Sequence, residues 1–325
     1  MKDSTEQPRT IIFILQIQFQ FFPMNRKTLT RLILIAALQV GFFMPQVAHS
    51  QSKKRNLFAK ENLVAWCIVP FDSENRTPAQ RIDMLKRLGF KQYAYDWRSK
   101  HIPTFAEEID LAKQAGVKIM AVWLWIDRDS DRAGQLSNDN EQVLKIIEES
   151  GLKTRLWVGF NSNFYTDETD DAKVKKGVEM LNFLRERTGK FVDGIALYNH
   201  GDWFGEPDNQ IRILKQLNNP FFGIVYSFHH GHGQIESFPS MLKRMKPWLW
   251  TVNINGMKKE GPQIITVGTG DKELDMLRTL EKSGFQGTLG ILGHIEDEDV
   301  EKVLQRNLDG LEKVAEAVSN EQLGL

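Results

Sequence analysis

The stretch FAEEIDLAKQAGVKIMAVWLW, residues Phe105–Trp125, holds a whole structural unit. Its first half, Phe105–Ala115, spaces apolar residues as a helix does and stops at Gly116, a residue that tolerates the left-handed turn after a last helical turn. Its second half, Val117–Trp125, is a short apolar run with the length and the β-branched and aromatic content of a buried strand. Outward from it the same alternation recurs. The apolar runs are Leu63–Val69, Lys91–Asp96, Val117–Trp125, Thr154–Phe160, Gly194–Asn199, Phe222–Phe228, Trp248–Ile254 and Thr288–Leu292. Among the helical patterns between them, Pro78–Leu88 ends at Gly89, Glu141–Ser150 at Gly151 and Leu274–Ser283 at Gly284, and Val300–Val318 closes the series. Eight strand–helix units in about 260 residues predict an α/β chain with a parallel sheet closed into a (β/α)8 TIM barrel. An open doubly wound sheet would put a glycine-rich phosphate loop after the first strand, where Val69-Pro70-Phe71-Asp72 stands instead.

Lys and Arg together number 42, as do Asp and Glu, so the formal net charge is zero. A nucleic-acid binder needs a basic surface to neutralise phosphates, and no basic run follows residue 55. Near the start, Arg26, Lys27 and Arg31 accompany an apolar run from Leu32 to Met44, and Val47-Ala48-His49-Ser50 offers small residues at cleavage spacing. This is the layout of a secretory signal, and its apolar part is short for a membrane span. The expected organisation is a targeting segment over 1–50 with a true start at Met24, a linker over 51–62, one barrel over 63–318 and a tail over 319–325. Export to the periplasm follows, with no stable membrane insertion after the signal is removed. The single cysteine, Cys67, lies in the first apolar run and reads as a small buried hydrophobe.

In such barrels the chemistry sits at the C-terminal ends of the strands. Those ends read Asp96-Trp97-Arg98, Trp125-Ile126-Asp127, Phe160-Asn161, Tyr198-Asn199-His200, His229-His230-Gly231-His232, Asn253-Ile254-Asn255 and Gly293-His294, for strands two to eight. Of the six histidines after residue 50, five (His200, His229, His230, His232 and His294) fall at three of these ends. Grouped imidazoles suit a divalent ion, and they equally suit proton transfer near neutral pH. His232 and His200 are the expected acid–base groups, with Glu206 as a further base. Tyr198, Asn199, Asn253, Asp96 and Trp203 are expected to contact the substrate, the asparagines as oxyanion donors and Trp203 as a stacking platform. His229, His294 and His200 are the candidate ligands for one zinc or manganese ion, and a metal-free site is the alternative. Asp96 and Arg98 are otherwise read as a strand-end ion pair, and the charged run 127–132 as a solvated loop.

The eight-unit pattern, Tyr198-Asn199-His200-Gly201, the His229-to-His232 spacing and the segment Gly287–Asp299 resemble the xylose isomerase-like barrels, which include sugar phosphate isomerases and epimerases. The resemblance spans residues 60–318. It implies a sugar or sugar derivative as ligand. It also implies a carboxylate-rich ion site, and there this chain departs from the pattern. Tyr198 stands where strand five supplies a Glu before Asn-His, and His229 where strand six supplies an Asp. Asn253 stands in place of a strand-seven His, and His294 in place of a strand-eight Glu. The expected function is a sugar isomerase or epimerase working by proton transfer beside a carbonyl. A lyase or hydratase on a keto-sugar and a non-catalytic carbohydrate binder are the alternatives. A glycoside hydrolase needs two carboxylates facing each other across the pocket. Asp96, Asp127, Glu206, Glu236 and Glu296 do not supply that pair convincingly on strands four and seven.

Overall fold

The computed structural model describes residues 56–322 except Asp167; the targeting segment expected over 1–50 and the end of the tail lie outside the described residues. The strands are β1 (Leu63–Trp66), β2 (Gln92–Tyr95), β3 (Lys118–Ile126), β4 (Thr154–Phe160), β5 (Val192–Tyr198), β6 (Phe222–Ser227), β7 (Leu249–Ile254) and β8 (Thr288–Leu292). They pair in sequence order, all parallel, and β8 returns to β1 through four register pairs from Leu63↔Leu289 to Trp66↔Leu292. The ring is closed, so the open-sheet alternative is excluded.

Each strand is followed by a helix: α1 (Pro78–Leu88), α2 (Phe105–Ala115), α3 (Asn138–Ser150), α4 (Asp170–Thr188), α5 (Pro207–Leu217), α6 (Phe238–Met245), α7 (Glu273–Lys282) and α8 (Val300–Gln322). Local chemistry sets their ends. Thr77 and Gln80 form a reciprocal capping box at α1, and Pro78 occupies its first turn. Ser137 caps α3 through the Asn140 N–H. Gly116 and Gly151 take up the left-handed turns that end α2 and α3. At α7 the helix stops a residue earlier than expected, with Ser283 as its cap and Gly284 in the left-handed region just beyond. Two expected boundaries shift. Leu57 is buried and the Asn62 amide donates to the Leu57 and Gly287 carbonyls, so the end of the expected linker packs onto the barrel. The tail expected from 319 continues α8 to Gln322.

The closed ring creates two cores. Strand residues pointing outward, such as Leu156, Val158, Ile195 and Leu197, pack with the helices. Those pointing inward fill the barrel with Val64, Trp66, Ala94, Trp123, Trp157, Ala196, Tyr198, Val225 and Leu292. Trp66 is the hub, with ring centroids 4.8 Å from Trp157, 5.6 Å from Trp123 and 5.8 Å from Tyr198. Trp66 also donates its indole N–H to the Tyr198 hydroxyl at 3.3 Å. Space for further rings comes from neighbouring glycines. A Cβ on Gly159 would lie 2.3 Å from the Trp125 ring, and one on Gly223 would lie 2.3 Å from the Trp250 ring.

Gly159→Ala therefore forces Trp125 off its stack on Trp123, where the centroids are 5.2 Å apart. The expected cost is about 1–3 kcal/mol in urea unfolding, accompanied by a changed tryptophan emission spectrum. An unchanged midpoint and spectrum would show that the ring is not clamped there.

Candidate active site

The inward positions at the tops of the strands line a cavity of about 650 Å3, within the ordinary range for small-molecule sites. Its floor and walls include Trp66, Trp123, Trp125, Tyr198 and Phe71, and its polar groups include Asp96, Arg98, His200, His229, His230 and His294.

The histidines form a continuous row. His200 and His230 have ring centroids 4.3 Å apart, and His230 and His229 are 3.7 Å apart. His229 meets His294 edge-on at 6.4 Å, and His294 stacks on Phe71 at 3.6 Å. At the other end His200 stands perpendicular to Trp125 at 4.7 Å. The Nδ1 of His229 bonds to the buried Ser227 hydroxyl at 2.9 Å. The loops that carry Phe71 and His294 are tied together. Asp72 accepts from Arg76 and from the Val300 N–H, and Arg76 also pairs with Asp299 and Glu301.

Burial holds these imidazoles neutral; repulsion from neighbouring imidazoles adds to it at His229 and His230, whereas Asp202 opposes it at His200 and Glu296 at His294. His229 is lowered to about 3 by burial, with His294 and His200 adding to the effect. His230 is lowered further for the same reasons, and burial also lowers His200 and His294. Asp96 moves the opposite way. Burial raises it to about 7 against the pull of Arg98. One of its oxygens accepts from the Val69 N–H at 3.3 Å, and the other is buried without a partner. The ion pair expected between Asp96 and Arg98 is not formed: Arg98 donates to the Asp96 and Trp97 carbonyls instead. Cys67 also lines the cavity, with φ at +56°, a strained backbone for a non-glycine residue. Burial pushes its thiol up, and Asp96 adds to that.

The structure thus brings together Asp96, Tyr198, His200, His229 and His294 of the expected residues. It places the others elsewhere. His232 leaves the row, with its Nε2 on the Lys258 carbonyl at 2.6 Å. Glu206 is exposed and accepts from Gln234. Trp203 donates to Asp170 and lies under Lys173 and Arg212, away from the cavity. Asn199 points outward between two inward residues and uses both ends of its amide on the Ser227 backbone. Asn253 faces inward but pairs in register with Gly290, the partner of Val64, which puts it a layer below the floor. The run after β3 is solvated at Arg128, Asp129 and Arg132, as expected, and is anchored at Asp131. Asp131 is buried and accepts from the Asp127 and Ser137 N–H groups and from Asn140. Cys67 is buried among the side chains that fill the barrel, as its sequence context suggests, and only its strained backbone leaves no sequence signal. The sequence reading missed Trp66 and Trp123, which the two-residue period places inside the barrel.

The donor set does not fit the ion site that the resemblance implies. The imidazoles meet as stacked and edge-on rings, and His229 gives its Nδ1 to Ser227. Among the described residues, no three His, Cys, Asp or Glu side chains form a group that could hold a metal ion.

No family model matches this chain, and no curated protein matches it either. Solved structures do. The 3-keto-D-glucoside 4-epimerase of E. coli superposes with a TM-score of 0.59, at 15% identity, covering 78% of this chain and 98% of that one. A xylose isomerase domain-containing protein of Salmonella typhimurium gives 0.52 at 13% identity, over 82% and 98%. The fold is that of the xylose isomerase-like barrels. The probable 3-DHS dehydratase of Bacillus anthracis superposes with a TM-score of 0.56, at 11% identity over 77% and 98%.

The neutral row has a consequence for stability. The folded-state values of these histidines lie below the unfolded value, so the unfolded chain takes up protons first as the pH falls through about 6.5. Stability should fall from there toward the His229 value of about 3. Asp96, raised in the folded state, opposes this between its unfolded and folded values. Urea midpoints at about pH 5 should be lower than at about pH 7.5. The gap should shrink in His229→Gln/His230→Gln and widen in Asp96→Asn. Equal midpoints at both pH values in the unmodified protein would contradict the burial argument.

Proposed function

We propose that this chain is an epimerase-like enzyme that moves a proton on the carbon beside a carbonyl of a sugar or keto-sugar. The observation that carries this reading is the opposition of Asp96 and the imidazole row. Asp96 tops β2 and His229 follows β6, and these strands stand on opposite sides of an eight-membered ring. An epimerisation needs a base on one face of the carbon and an acid on the other. In the tautomer that donates Nδ1–H to the Ser227 hydroxyl, Nε2 of His229 keeps the lone pair that serves as the base. The imidazole takes the C–H proton, the electron pair moves onto the carbonyl oxygen, and Asp96 returns a proton from the opposite side. Tyr198 retains its phenolic proton, because burial raises its value well above the ordinary one. Its hydroxyl takes the Trp66 indole N–H and braces the floor beneath the reacting carbon. The rings of Trp66, Trp123 and Trp125 offer a surface for the C–H face of a sugar.

A second reading uses the same pair. If the carbon next to the abstracted proton carries a hydroxyl, Asp96 protonates that oxygen. The C–H and C–O bonds then break, a C=C bond forms and water leaves. The protonated state of Asp96 favours it, as does the shared fold with a probable dehydratase.

Proton NMR in deuterated water on a panel of ketoses and keto-sugars separates these outcomes. Deuterium entering beside the carbonyl with an inverted centre marks epimerisation, and loss of water marks elimination. His229→Gln or His230→Gln should slow exchange by about 10²-fold or more. The rate should stay level from about pH 5 to 6.5 and fall above about 7 as Asp96 loses its proton. Saturable sugar binding with no exchange in any member would leave a carbohydrate-binding barrel instead.

A further inference from the structure

We infer that the substrate carries a carboxylate and that Arg98 holds it at the barrel mouth, so that the class that fits is a sugar acid, a uronate or its keto form. This rests on the proton-transfer reading of the site and adds what that site grips. Arg98 is the only Lys or Arg among the residues lining the cavity. Elsewhere Arg76, Arg81, Arg87, Arg212 and Arg244 each meet a carboxylate of their own chain. Among the described residues Arg98 meets none. Its hydrogen bonds to the protein run from Nη1 to the Asp96 and Trp97 carbonyls. Nη2 and Nε are left for an acceptor from outside, and a guanidinium fork matches a carboxylate in two parallel bonds.

The fork is held in place. Its Cζ lies 5.6 Å over the Phe71 ring, and the same ring stacks on His294. Phe71 therefore fixes the spacing between the cation and the end of the imidazole row. A carboxylate on Arg98 keeps the rest of a small sugar acid in the cavity that the histidines and Asp96 also line.

The acids lining the cavity do not compete for Arg98. Asp127 is bound by Asn161, by Asn163 and by the Asp129 N–H. Although burial works against its charge, those donors hold it below the ordinary value. Asp131 is bound by backbone N–H groups and Asn140, and Asp139 accepts from the Ser99 hydroxyl. A phosphate dianion fits less well, since it would face these acids with a single cation to hold it.

The test is calorimetric binding of matched pairs to the full chain: D-glucuronate against D-glucose, D-galacturonate against D-galactose, and D-fructuronate against D-fructose, with glucose 6-phosphate alongside. In at least one pair the acid should bind about tenfold or more tightly than its parent. That advantage should vanish in Arg98→Met and drop in Arg98→Lys, which keeps the charge and loses the fork. Near-UV circular dichroism checks that both variants are folded. His229→Gln should keep the preference for the acid while losing exchange. Acid preference without exchange in the unmodified protein would leave the anchor standing and remove the proton-transfer reading. Three outcomes overturn the anchor: no acid binding more tightly than its parent, a preference that survives Arg98→Met in folded protein, or tighter binding of the phosphate ester.

Discussion

Closing eight short strands into a ring leaves an interior that only side chains can fill, and here they are large. The Trp66 indole touches Trp123, Trp157 and Tyr198 at once, so the strands that contribute these rings are braced against a common centre. Packing that dense leaves no room for adjustment by fractions of a side chain. What lies above it, including Asp96 and the histidines, inherits its position from that filling. The glycines opposite Trp125 and Trp250 belong to the same constraint, because a ring on one strand needs an empty place on the next.

The site combines two opposite responses to burial. The same loss of water that keeps the imidazoles unprotonated keeps a proton on Asp96. An imidazole free of its proton and a carboxyl that keeps one thus arise from one cause, with the ring geometry placing them on opposite strands.

The barrel was legible because its units repeat. The apolar runs matched the strands to within a few residues, since a parallel strand covered on both faces must be apolar throughout. The polar ends were harder to read. Alternation alone would have turned Asn199 outward, given that Tyr198 and His200 on either side face in. His232 looked equivalent to His229 because both lie near the end of β6, yet the turn at Gly231 carries it to the Lys258 carbonyl. Trp203 and Glu206 follow β5 closely in sequence, but the short helical turn over Asp202–Gly205 carries them to the outer surface. Their spacing of two residues makes Arg98 and Asp96 look like an ion pair in the sequence. A strand places such residues on the same face without bringing their ends together, and the nearer acceptors for the guanidinium were backbone carbonyls.

The clasp between Asp72, Arg76 and Asp299 joins groups that are 228 residues apart where Val300 meets Asp72. A ribosome delivers the first half of this contact long before the second. Until β8 and α8 emerge, Phe71 has no imidazole to stack on and β1 has an open edge. The helices and the early strand pairs can form as they appear. The mouth, by contrast, is completed last, so a chain that stops short of residue 294 carries most of a barrel but lacks the His294 end of the row and the partner of Phe71.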